Sequence, residues 1–181
     1  MNLDEFSIFK DNKKTLQHTS RDTSKEPVHY MTYSDRKVVD LDVVKTKVMS
    51  QMFGEKDNIA RSSDALLYTN NGMYIIEFKN GSFSNTEISQ KANNSIMLFN
   101  LITGKQIDFT RNNISFVLVY NREAKKLDYR DEKALHIAQM AKIGLPLFGT
   151  DKLKSFSYKN VYMLAKDEFD MFINSIDERK D

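Results

Sequence analysis

Apolar residues along this chain change their spacing several times, and each change marks a structural element. Two short apolar runs, DALLYT (64–69) and MYIIEFK (73–79), flank Asn70-Asn71-Gly72. Short runs joined by Asn and Gly predict a β-hairpin. Upstream, Val44, Val48 and Met52 recur at four-residue steps, so a helix is expected from Val43 to about Phe53, with Asp42 as its cap and Gly54 as its stop. Downstream, Ile88, Ala92, Ser95, Ile96, Phe99 and Ile102 form one stripe of a longer helix, capped by Thr86, running to about Thr103 and closed by Gly104.

The run ISFVLVY (114–120) is β-branched and apolar on both faces, as suits a central strand covered from two sides in a partly parallel sheet. A further helix is expected from Asp131 to Ile143, and a strand from Asn160 to Ala165. A C-terminal helix then begins at Asp167, with Phe169, Phe172, Ile173 and Ile176 inward. The pattern is that of a single α/β domain over residues 38–181. Residues 10–37 are polar and aperiodic and contain Pro27, so residues 1–37 are expected to be a polar leader or arm.

Charge narrows the partners only slightly. Twenty-seven Lys and Arg against 25 Asp and Glu leave +2, so any contact with nucleic acid must be local. The absence of Cys excludes disulfides, thiolate metal sites and a cysteine nucleophile. His18, His29 and His136 lack metal-ligand spacing. The basic group Arg122, Lys125, Lys126, Arg130 and Lys133 is interleaved with Glu123, Asp128, Asp131 and Glu132, which suits a solvated loop. No apolar run is long enough for a bilayer and the first residues lack a signal-peptide pattern, so the expected location is cytoplasmic, without a membrane.

Candidate chemistry comes from placement. The pattern acid–any–Lys recurs at Asp11/Lys13, Asp35/Lys37, Glu77/Lys79, Glu123/Lys125, Asp131/Lys133 and Glu178/Lys180. Only Glu77-Phe78-Lys79 falls in a strand of buried residue types, where a charge must be paired, hydrogen-bonded or metal-bound. Residues two apart in a strand share a face, so Glu77 and Lys79 project together. With an Asn71-Gly72 loop, Asp64 lies opposite Lys79; with an Asn70-Asn71 loop, it lies opposite Glu77. Either register puts the three on one face, whereas a three-residue loop sends Asp64 to the other. Two carboxylates about 5–8 Å apart on neighbouring strands suit Mg²⁺ or Mn²⁺, and a structural ion-pair cluster is the competing reading.

An Asp at the start of one strand with Glu-x-Lys on its hairpin partner resembles the PD-(D/E)XK nuclease superfamily. The match lies in SSDALLY and MYIIEFKNG, within about residues 42–120. The resemblance implies a restriction-endonuclease-like mixed sheet flanked by helices, with Asp64 and Glu77 as metal ligands, the Phe78 carbonyl as a further ligand and Lys79 as the water-positioning group. Gln90, in EISQKANNS, would take the place of a Gln found on the following helix in several branches, although Glu87, Gln90, Lys91 and Asn94 also read as a solvated helix face. Ser63 stands where the family has Pro, and Glu55 is the candidate acid of the first helix. The function implied is a metal-dependent nuclease acting on DNA or RNA. The alternative is a non-catalytic module on the same scaffold that binds a protein partner, as an immunity or regulatory protein does.

Overall fold

The apolar alternation of residues 64–79 closes into a hairpin, and the rest of the sheet grows from its two edges. The computed structural model describes residues 1–24, 26–54, 60–123, 133 and 150–178. Among these, the strands are β1 (Lys13–Thr15), β2 (Arg21–Asp22), β3 (His29–Tyr30), β4 (Lys37–Asp40), β5 (Ala65–Thr69), β6 (Gly72–Lys79), β7 (Ile114–Tyr120) and β8 (Val161–Ala165). The helices are α1 (Ser7–Lys10), α2 (Leu16–Thr19), α3 (Leu41–Phe53), α4 (Asn85–Thr103), α5 (Ile107–Asn113), α6 (Asp151–Phe156) and α7 (Lys166–Glu178). Six strands form one sheet in the order β1-β4-β5-β6-β7-β8, while β2 and β3 make a separate ribbon. Pairing is antiparallel from β1 to β6 and parallel from β6 through β7 to β8. The fold is therefore mixed α/β, a sheet flanked by helices.

Strand parity divides the sheet into two cores. Leu66, Met73, Ile75, Phe116 and Leu118 pack with Val44 and Val48 of α3 and with Ile88, Ala92, Ile96 and Phe99 of α4. Ala65, Leu67, Tyr74, Ile76, Phe78, Val117 and Val119 face the other way, onto Phe169, Ile173 and Ile176 of α7. Every residue of β7 is buried, as a strand covered on both faces requires. The hairpin loop is Asn70-Asn71, with Thr69 opposite Gly72. Gly72 takes φ 148°, a backbone conformation that side chains disfavour, and Asn71 Nδ2 ties the tip to α7 by donating to the Ile176 carbonyl at 2.6 Å.

Within the polar leader or arm expected over residues 1–37, several of the described residues pack on the domain. Lys13, Lys14 and Thr15 pair with Val39, Val38 and Lys37 at the sheet edge. Leu3, Phe9, Leu16 and Met31 are buried, and Phe9 stacks on Phe99 of α4 at 6.2 Å. The segment is held by a few widely spaced apolar anchors and by backbone pairing, and neither leaves a periodic signal in the sequence.

Both helix caps also lie two residues earlier than expected. Asp40, at the end of β4, accepts from Val43 N–H at 3.1 Å and caps α3. Ser84 accepts from Glu87 N–H at 3.1 Å and caps α4. The capping residue needs extended backbone, which Asp40 and Ser84 have, whereas Asp42 and Thr86 already lie inside the first turn. Gly104, left-handed at φ 68°, closes α4 as expected. α5 and α6 are too short to show a helical period and were not expected. The helix expected over 131–143 lies outside the described residues except at Lys133.

Candidate functional site

The end of β6 turns from apolar to charged, and the side chains that meet there come from β5, β6 and α4. Parity fixes which side they take. Glu77 continues the face of Met73 and Ile75 and so points under α4, while Phe78 joins the α7 core. Asp64 precedes β5 on the parity of Leu66. Its N–H donates to the Ile76 carbonyl at 3.0 Å, and its Oδ2 accepts the Phe78 N–H at 2.6 Å. The carboxylate thus replaces a backbone partner, and the strict ladder ends at Ala65 opposite Ile76. Ser63 N–H donates to Ser95 Oγ of α4 at 2.8 Å, which fixes the approach to Asp64 against that helix.

Two lysines neutralise the carboxylates. Glu77 is fully buried, and its Oε1 lies 2.7 Å from Lys91 Nζ and 3.2 Å from Lys79 Nζ. Lys91 Nζ also lies 3.7 Å from Asp64 Oδ1, and Lys79 Nζ lies 2.5 Å from Glu87 Oε1. The side chains of Lys79, Asp64 and Lys91 retain 14%, 16% and 18% exposure, so solvent reaches the cluster at its rim. Glu77 Oε2 has no hydrogen-bond partner although it is buried. An unmatched carboxylate oxygen in an apolar setting costs free energy unless a cation or water meets it.

Burial is the main influence on the two acids. It pushes the Asp64 carboxyl well above the usual carboxylate range, with Glu77 adding to the rise and Lys91 and the Phe78 N–H opposing it. Glu77 is likewise raised by burial against the pull of Lys91 and Lys79. Burial works to lower Lys91, but the charges of Glu77 and Asp64 outweigh it, so the ammonium is held more firmly than usual. Glu87 is lowered by its hydrogen bond from Lys79.

No family model, curated protein or solved structure matches this chain. The chemistry of the site is therefore read from its own geometry.

Of the residues singled out in the sequence, Asp64, Glu77 and Lys79 are brought together. Gln90 is not: it is exposed on α4, a quarter-turn from Lys91. The sequence pattern assigned Glu87 and Lys91 to a solvated helix face and Ser95 to the buried stripe, but the three recur at four-residue steps beside the buried Ile88, Ala92 and Ile96 and line the α4 edge of the cluster. That spacing was the available signal. Glu55 lies outside the described residues. Asp42, in the first turn of α3, accepts from Ser62 Oγ at 2.7 Å, and its charge reaches both Asp64 and Lys91. Arg122 is held by Asp167 and Glu168 of α7, away from the cluster.

Among the described residues, no group of three or more His, Asp or Glu side chains is placed to hold a metal ion. The donors that do converge, Asp64 and Glu77, offer carboxylate oxygens only. The orphaned Glu77 Oε2 fits a hard cation that keeps several waters. No helix among these residues is long and apolar enough to cross a membrane.

Proposed function

We propose that this chain is a PD-(D/E)XK-like, restriction-endonuclease-like nuclease that hydrolyses phosphodiester bonds of DNA or RNA with Mg²⁺ or Mn²⁺ held by Asp64 and Glu77. The observation that carries the reading is the buried Glu77 carboxylate, with one oxygen unpartnered, set beside Asp64 at the rim of the sheet. Bound there, the cation would polarise a phosphate oxygen and lower the pKa of a water. Lys79, kept in place by Glu87, would orient that water and offset negative charge developing on phosphorus. Asp64 is pre-positioned by the Phe78 N–H, so its second oxygen stays available.

The test is cleavage of mixed single- and double-stranded DNA and RNA with Mg²⁺ or Mn²⁺. Lys79→Ala should lower the rate by about 10²-fold or more while changing the dissociation constant only slightly, because the interaction is made in the transition state. Wild-type protein that cleaves nothing over such a panel would sink the reading.

One observation favours the second reading, a non-catalytic protein-binding module. A cleft of about 350 Å³ between α3 and α4 is lined by Met49, Met52, Phe53, Met97, Leu98 and Leu101. Met52, Phe53, Met97 and Leu101 are half or more exposed, and a contiguous apolar surface of this kind is characteristic of partner sites.

A further inference from the structure

The two lysines of the cluster differ in their counter-ions. Lys79 is shared between Glu77 and Glu87, so it keeps a partner if Glu77 is engaged elsewhere. Lys91 is shared between Glu77 and Asp64, the same two carboxylates that the metal reading assigns to a cation. Its ammonium lies 2.7 Å from one and 3.7 Å from the other. A divalent ion held by Asp64 Oδ1 and the open Glu77 Oε2, at about 2.0–2.1 Å for Mg²⁺, would sit within a few ångströms of the ammonium that lies on Oε1 of the same carboxylate. At such range two cations repel, and the ion would also strip Lys91 of both its partners.

Lys91 has somewhere to go. It stands on α4 at the partly exposed rim of the cluster, with 18% of its side chain open to solvent.

We infer that Lys91 is a built-in counter-cation that holds Asp64 and Glu77 together in the metal-free protein and is exchanged for the divalent ion, its ammonium moving out toward solvent at the rim as the ion enters. The inference rests on the metal reading of Asp64 and Glu77 and deepens it: loading of the site is a cation exchange. Lys79 stays in place through Glu87, so the two lysines respond to metal in opposite ways.

Two measurements test it on the full chain. In wild-type protein, acetylation by an N-hydroxysuccinimide ester, read by peptide mass spectrometry, should rise several-fold at Lys91 on saturation with Mn²⁺ and stay unchanged at Lys79. This arm needs no variant. In calorimetric titration, Lys91→Met should bind Mn²⁺ about tenfold more tightly than wild type, within the usual range for coupling between two bound species. The rise in melting temperature caused by Mn²⁺ should also be larger in the variant. If Mn²⁺ binds wild type and Lys91→Met equally and Lys91 labelling does not change, the exchange is wrong and the metal site stands. If neither protein gives more heat with Mn²⁺ than Asp64→Asn does, the metal reading itself fails and the exchange fails with it.

Discussion

Strand β6 presents two faces that are stabilised by different physics. Toward α7 it offers Tyr74, Ile76 and Phe78, with Phe78 edge-on to Phe169 at 5.3 Å and Tyr74 edge-on to Phe172 at 5.9 Å. Toward α4 it offers Met73 and Ile75 and then Glu77 and Lys79, which are tied to Asp64, Glu87 and Lys91. The aromatic face is held by buried area, so each contact adds a share and a lost ring costs roughly what it covered. The charged end is held by balance. Five titratable side chains compensate one another, and removing one leaves another buried and unmatched. The first face suits a fixed frame. The second is the end to which the proposed function assigns the site.

The largest expected effect lies on the aromatic face. Phe169, fully buried against Phe78, should cost about 3–5 kcal/mol when changed to Ala, read as a shift in the denaturant midpoint. Changing the medium should alter that loss little. The charged end should behave otherwise. Lys91→Met, measured without metal, should cost about 3 kcal/mol, the low end for stripping a buried ion pair, because Lys79 remains on Glu77. Adding Glu77→Gln to Lys91→Met should return most of that loss, since Lys79 keeps Glu87, the fully buried Glu77 carboxylate is gone, and Asp64, raised by burial, keeps the Phe78 N–H. Additive losses in the double variant would show that the charged end is held by packing, as the aromatic face is, and would erase the contrast.

The sequence made the aromatic face and the hairpin legible because both are periodic. The alternation of β6, the doubly apolar β7 and the Phe169, Phe172, Ile173, Ile176 stripe each carry a regular repeat over several residues. Asp64, Glu77 and Lys79 were legible because charges in an apolar strand need a reason. Lys91 was not, since a lysine on an amphipathic helix usually faces water, and only the closeness of α4 to the strand end makes it an internal counter-ion. The N-terminal segment was hidden for a different reason. Phe9 and Leu16 are single anchors in polar surroundings, and the pairing of β1 with β4 is made by backbone groups that every residue carries.

The smallest effect separates the two faces by pH. Burial raises Asp64 in the folded state, so between its unfolded pKa, about 4, and its higher folded value the native protein binds more protons than the unfolded chain. Stability contributed by this group therefore falls as pH rises through that window and is fully regained below it. Asp64→Asn removes the titration. In metal-free buffer, the stability of Asp64→Asn relative to wild type should improve with rising pH from about 4 upward, with a slope of at most about 1.4 kcal/mol per pH unit. Chemical denaturation at a series of pH values reads that slope directly. Phe169→Ala should show no such trend relative to wild type, because the ring is neutral and lies in the opposite core. A difference between Asp64→Asn and wild type that stays flat with pH would mean that Lys91 holds Asp64 ionised in the folded protein as firmly as water does in the unfolded chain. The charged end would then already be balanced without metal.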